Sequence, residues 1–92
     1  MSVERMSVEW TSVEVQEIRM LLASVVGREV ADSLDEDELL FAQGIVDSLH
    51  LVQIVDGFQR DFGVEVAGHD LSPENFGSIG GMARYLQAKR PL

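Results

Sequence analysis

Apolar residues recur at helical spacing near the start of the chain and predict a helix over residues 12–26. Thr11 followed by Glu14 has the capping-box spacing, which satisfies backbone N–H groups left free at a helix start. Gly27 suits the left-handed residue that commonly ends a helix. The apolar positions between these signals lie on one helical face: Val15, Ile18, Leu22 and Val25.

A second amphipathic pattern predicts a helix over Ser48–Phe62, ended by Gly63. At the helical turn angle, Leu49, Val52 and Asp56 cluster on the side opposite the core face. Two apolar side chains beside an acid form a candidate docking surface, although single exposed apolar residues are ordinary on proteins. The predicted core face consists of Leu51, Ile54, Val55, Phe58 and Phe62.

The remaining pattern predicts a long connection and two C-terminal helices. Residues 28–46 are acidic and predict a loop, which the apolar residues 39–41 fix to the core. A short helix is expected at 72–76 and a longer one at 78–89. Each range begins with a serine that can cap the helix. The sequence therefore predicts an all-α fold with three main helices, one short helix and a long first loop.

The N-terminal segment repeats Ser-Val-Glu at residues 2–4, 7–9 and 12–14. A five-residue period matches neither a helix nor a strand, and three copies cannot build a repeat domain. Residues 1–10 are therefore predicted to be a flexible tail or a frayed extension of the first helix, with Trp10 at the junction, and residues 11–92 a single domain.

Length and composition restrict the possible functions. A chain of 92 residues, 46% of them hydrophobic and 25% charged, forms one modest core with little room for a deep pocket, which argues against a conventional enzyme. The absence of cysteine excludes disulfides, thiolate metal sites and a cysteine nucleophile. With no signal peptide and no apolar run of about 20 residues, the sequence predicts a cytoplasmic protein without membrane insertion.

The charge predicts the kind of partner. Sixteen acidic against seven basic residues give a net charge of −9, which repels nucleic acids and anionic lipids and attracts a basic protein surface. Solubility alone is the other explanation of such a surface.

The acidic segment that begins at Asp32 does not match the EF-hand calcium-binding loop. That loop needs glycine at its sixth position and glutamate at its twelfth, where this chain has Asp37 and Gln43. Neither His50 nor His69 has metal-ligand spacing.

The stretch Phe41-Ala-Gln-Gly-Ile-Val-Asp-Ser-Leu49 carries the candidate chemistry. It places Ser48 at the first turn of an amphipathic helix, where free N–H groups and the positive end of the helix dipole favour a bound phosphate. Gly44 allows a sharp turn into the helix. The simpler interpretation is that Asp47 or Ser48 merely caps the helix, and local physics alone favours it.

The segment Gly44-Ile-Val-Asp-Ser-Leu49, followed by an amphipathic helix, resembles the signature of the acyl carrier protein family. The resemblance continues through Phe58, Phe62-Gly-Val64 and Leu71-Ser-Pro-Glu-Asn-Phe76, and it ends in the helix that begins at Ser78. It implies a small four-helix bundle of carrier-protein type. It also implies that a phosphopantetheinyl transferase attaches 4′-phosphopantetheine, taken from coenzyme A, to Ser48.

The same resemblance implies a non-enzymatic, monomeric carrier that holds an acyl or aminoacyl thioester for partner enzymes. Those partners would be an activating ligase and a downstream transferase or synthase, docked on the face around Leu49 and Val52. Asp47 and Asp56 flank this face and are the candidates for the electrostatic part of docking. Ile45-Val46 before the aspartate, with His50 and Gln53 after it, resembles D-alanyl and other stand-alone aminoacyl carriers more than fatty-acid carriers.

Two alternatives belong to other classes of protein. An unmodified acidic helical adaptor that binds a basic partner would share the fold and the charge. A small hydrolase using Ser48 would need a histidine and an acid arranged as a triad, together with a substrate pocket, and so short a chain offers neither. Incorporation of the arm from coenzyme A distinguishes the carrier from the adaptor.

Overall fold

A computed structural model describes residues 12–90 of the chain, and the regular secondary structure within this range is helical. The predicted all-α class is confirmed, and the segments expected at 72–76 and 78–89 are helices. The predicted tail at 1–10, Thr11 and Trp10 lie outside the described residues. Within 12–90 the α-helices are α1 (Val13–Val26), α2 (Arg28–Ser33), α3 (Ser48–Phe62), α4 (Pro73–Phe76) and α5 (Ile79–Lys89), with a 3₁₀ turn at Gly68–Asp70.

The start of α1 differs from the prediction by one residue. Ser12, not Thr11, is the N-cap, and its hydroxyl oxygen accepts a hydrogen bond from the Val15 N–H at 3.1 Å. The predicted Thr11–Glu14 capping box is therefore wrong, because a neighbouring serine with the same chemistry takes the capping position. Gly27 ends α1 as predicted, but its φ of 103° and ψ of 147° lie outside the left-handed helical conformation expected there.

The predicted long connection at 28–46 begins with the additional short helix α2, which the sequence did not predict, and the rest of it is a loop. Ala31 and Leu34 anchor this segment in the core. Arg19 on α1 donates hydrogen bonds from Nη1 to the carbonyl oxygens of Ala31 at 2.6 Å and Leu34 at 2.8 Å. A side chain distant in sequence thus satisfies carbonyl groups that a short helix leaves free at its C-terminus.

The core is assembled around Phe58 of α3, which is fully buried. Its ring centroid lies 5.3 Å from those of Phe62 and Phe76 and 6.0 Å from that of Tyr85. Helix α1 packs against α2, α3 and α5, and α4 packs against α5. On the predicted core face of α3, Ile54 and Phe58 are buried and the remaining three residues are partly buried: Leu51, Val55 and Phe62.

A polar cluster attaches the 3₁₀ turn to α5. The Tyr85 hydroxyl donates to Asp70 Oδ2 at 2.8 Å, and Lys89 Nζ lies 3.5 Å from the same oxygen. Burial, together with the hydrogen bond to the carboxylate, raises the pKa of Tyr85 to about 12. The donated hydrogen bond in turn lowers the pKa of Asp70, so this carboxylate is ionised in the folded protein at neutral pH.

Candidate functional site

The turn that leads into α3 is held from both sides by buried residues. Leu40 and Val46 lie in the core on either side of Gly44, whose φ is 74°. The Leu40 carbonyl oxygen accepts from the N–H groups of Ile45 at 2.9 Å and Val46 at 3.2 Å. The Leu40 N–H donates to the Gly77 carbonyl at 2.8 Å, which ties the turn to the C-terminal helices. The start of α3 is therefore fixed by tertiary contacts as well as by its cap.

Asp47 is the N-cap of α3, whereas the sequence alone allowed either Asp47 or Ser48 in this role. Its Oδ1 accepts from the His50 N–H at 3.0 Å, and the Asp47 N–H donates to His50 Nδ1 at 3.3 Å. This is a reciprocal capping box in which a histidine takes the place usual for Glu or Gln. The sequence analysis missed this role of His50, although its spacing of three residues from Asp47 was the available signal.

Ser48 is the first residue of α3 and is exposed to solvent. Among residues 12–90, it is the serine whose hydroxyl forms no hydrogen bond with another described residue. The other five serines in this range bond to backbone groups. Three accept from a backbone N–H as helix caps, namely Ser12, Ser72 and Ser78. Ser24 and Ser33 donate to the carbonyl oxygen three residues earlier. The Ser48 hydroxyl is thus accessible for covalent chemistry, at a helix end whose dipole favours a bound anion.

The candidate docking surface lies on the solvent side of α3. Leu49 and Val52 are each 65% exposed, which agrees with the face assigned from the sequence. Asp56 is also exposed, one turn beyond Val52, and its Oδ2 lies 2.6 Å from Arg60 Nη1. The sequence analysis did not consider Arg60, although the four-residue spacing of an acid and a base on a helix is a usual sign of an ion pair.

An apolar groove of about 410 Å³ lies beside the start of α3. It opens to solvent between the first connection and α4, and Leu51, one helical turn after Ser48, forms part of its wall. The expectation that so short a chain has little room for a pocket did not foresee this groove, because it lies at the surface and not within the core. Its other apolar walls include Leu39, Phe41, Leu71, Pro73 and Phe76.

Comparison with known protein families agrees with this arrangement. A family model described as a phosphopantetheine attachment site matches residues 16–86, which run from α1 into α5. The chain belongs to this family. Domains of the family are the sites at which 4′-phosphopantetheine is attached covalently. A comparison with curated proteins finds no significant match to the chain.

Residues 12–90 contain no group of three or more His, Asp or Glu side chains placed to hold a metal ion, including the acidic segment that begins at Asp32. No helix within the same range is long and apolar enough to cross a membrane. His69, which the sequence showed to lack metal-ligand spacing, lies in the 3₁₀ turn and is exposed.

Replacing Asp47 by asparagine is expected to make the phosphopantetheine-attachment domain less sensitive to acid while α3 stays capped. The His50 N–H, the largest influence, lowers the pKa of Asp47 below its usual 3.8. The ionised carboxylate therefore stabilises the fold above that pH, and this contribution is lost as pH falls through the lower folded-state pKa. Asparagine caps a helix as well as aspartate does but does not titrate.

Urea unfolding between about pH 5 and about pH 2 measures this effect. The free energy of unfolding should fall less steeply in Asp47→Asn than in the wild type. Asp70, whose pKa is also lowered, keeps both proteins acid-sensitive and serves as an internal reference. Asp47→Ala, which removes the cap, should be less stable than both at every pH. Identical slopes in the wild type and Asp47→Asn would contradict the assignment.

Proposed function

We propose that the domain carries the 4′-phosphopantetheine arm on Ser48 and holds an acyl or aminoacyl group as a thioester for delivery to partner enzymes. The observation that supports this most is the free, exposed hydroxyl of Ser48 at the first position of α3, next to a residue that already provides the cap. Because Asp47 satisfies the backbone N–H of His50, the serine has no structural task that modification would disturb.

The residues around Ser48 fit an attached phosphodiester. Its Oγ would form the ester bond, and the N-terminal end of α3 would stabilise the negative phosphate through its dipole. The buried Leu40 and Val46 hold the turn, so the attachment point stays in one orientation relative to the domain. The arm supplies the thiol that forms the thioester, which a chain without cysteine does not itself offer.

Partner enzymes would dock on α3 beside the arm. Leu49 and Val52 supply exposed apolar contacts, and Asp47 and Asp56 supply charge at the two ends of this surface. A phosphopantetheinyl transferase, an activating ligase and a downstream transferase or synthase are the proposed partners of a monomeric cytoplasmic carrier. The residues around Ser48, among them Ile45, favour an aminoacyl or other specialised cargo over housekeeping fatty-acid synthesis.

The apolar groove next to α3 supports contact between the domain and what it carries. Leu51 lines the groove and follows Ser48 by one helical turn, so the path from the attachment point to the groove is short. Apolar parts of the arm or of the cargo would bury surface there that is otherwise in water. The groove is open, which allows the same group to leave for a partner's active site.

Intact mass of the purified protein after incubation with coenzyme A and a broad-specificity transferase tests the proposal. The carrier hypothesis predicts a single addition of the arm. The alternative is an unmodified adaptor of the same fold, for which the mass would stay unchanged. The net charge of −9 and the exposed Leu49 and Val52 on α3 would also suit such an adaptor. No mass increase under conditions in which a known carrier is fully modified would favour the adaptor.

Salt is expected to slow the loading of the arm. A net charge of −9 steers the domain toward a basic partner, and such steering raises association rates by about ten-fold or more at low ionic strength. The screening length falls from about 10 Å at 0.1 M salt to about 3 Å at 1 M, so the apparent KM for the carrier should rise while kcat changes little. Initial rates against carrier concentration at several salt levels measure this. A KM indifferent to salt would exclude steering by net charge.

A further inference from the structure

The exposed stripe on α3 extends one turn beyond the proposed docking residues. Leu49, Val52, Asp56 and Arg60 follow one another at intervals of three, four and four residues, which places all of them on one face of the helix. The side chains of Asp56 and Arg60 are 63% and 60% exposed, close to the exposure of Leu49 and Val52. Arg60 is the sole lysine or arginine in the sequence of α3.

Arg60 contacts both carboxylates in the second half of α3. Its Nη1 donates to Asp56 Oδ2 at 2.6 Å, and its Nε donates to Asp61 Oδ1 at 3.1 Å. The guanidinium also lines the surface groove between α1 and α3 in which Val52 lies. A positive charge therefore sits among the residues that a basic partner would approach.

We propose that Arg60 is a specificity-determining residue of the docking surface, because it neutralises Asp56 and so limits how strongly α3 attracts a basic partner. The inference rests on the proposed function and concerns which partners the carrier accepts. A lysine or arginine of the partner that pairs with Asp56 must share the carboxylate with Arg60 or displace it, and it meets the guanidinium charge as it approaches. Partners that present a neutral or mixed-charge surface at this point do not incur that penalty.

The other proposed acid, Asp47, is in a different situation. Its carboxylate bonds to the His50 N–H and has no arginine or lysine of residues 12–90 within ion-pair distance. The negative charge available to a partner is thus concentrated near Ser48, and it is reduced about two turns further along α3, at Asp56. A basic partner would be drawn most strongly toward the attachment site, and its contacts with Asp56 would be weaker as long as Arg60 pairs with that carboxylate.

The test uses coenzyme A and a phosphopantetheinyl transferase whose carrier-binding surface is rich in lysine and arginine. Loading rates against carrier concentration are compared at low salt for the wild type, Arg60→Gln, Asp56→Asn and the double variant. Arg60→Gln should raise kcat/KM by about three-fold, mainly through KM, which is the size expected for releasing one exposed charge from its pair. Asp56→Asn alone should lower kcat/KM modestly, because the docking surface loses one carboxylate, and adding it to Arg60→Gln should abolish most of the gain.

Two controls separate the local effect from net charge and from folding. Arg84→Gln on α5 changes net charge by the same one unit at an exposed position away from α3 and should raise kcat/KM clearly less. Arg60→Lys keeps the charge and should behave like the wild type. The inference is overturned if Arg60→Gln and Arg84→Gln are equivalent, or if the gain persists without the Asp56 carboxylate. Absence of loading in every variant and in the wild type would instead overturn the proposed function, and this inference with it.

Discussion

Phe58→Ala is expected to destabilise the domain by about 3–5 kcal/mol, the usual range for removing a buried phenylalanine ring. The ring is fully buried and lies at the centre of an aromatic cluster with Phe62, Phe76 and Tyr85. Domains of this size are stable by only about 5–15 kcal/mol, so the variant should be close to unfolding at physiological temperature. Urea unfolding followed by circular dichroism measures the loss.

Val52→Asp is the matched variant on the opposite face of the same helix. Its side chain is 65% exposed, so an aspartate there stays in water and the free energy of unfolding should change little. Loading by partner enzymes should nevertheless fall, because an apolar contact of the docking surface is replaced by a charge. If Val52→Asp unfolded as readily as Phe58→Ala, the division of α3 into a core face and a docking face would be wrong.

Ser48→Ala is expected to abolish attachment of the arm while leaving the fold intact. The hydroxyl is the proposed nucleophile for the ester bond, and alanine has none. Because Asp47 provides the cap and the Ser48 hydroxyl has no described bonding partner, its removal should leave the melting temperature nearly unchanged. Ser33→Ala, which removes an exposed hydroxyl from α2, is the control and should be loaded like the wild type.

Helices with strong local end signals were predictable from the sequence. Gly63 ends α3 in the left-handed conformation, and Ser72 and Ser78 cap α4 and α5 with hydrogen bonds of 3.2 and 3.0 Å. Each of these end signals involves residues only a few positions apart, so it can be recognised from the sequence alone. The exposed and buried faces of α3 followed from helical periodicity in the same way.

Features that depend on distant contacts were not predictable. Helix α2 is too short for a periodic pattern, and the guanidinium of Arg19 that bonds to its last carbonyls comes from another helix. The groove beside Ser48 arises from the packing of the first connection against α4, which periodicity does not describe. The sequence limited the N-cap of α3 to Asp47 or Ser48. The hydrogen bonds between Asp47 and His50 in the structure identify Asp47 as the cap.

Peptide mapping of the loaded protein tests the central claim most directly. Wild-type protein is incubated with coenzyme A and the transferase, digested, and analysed by tandem mass spectrometry. The account predicts that the arm is found on Ser48 alone, in stoichiometric amount, and that Ser48→Ala carries none. Attachment to Ser72 or Ser78, or normal loading of Ser48→Ala, would contradict it.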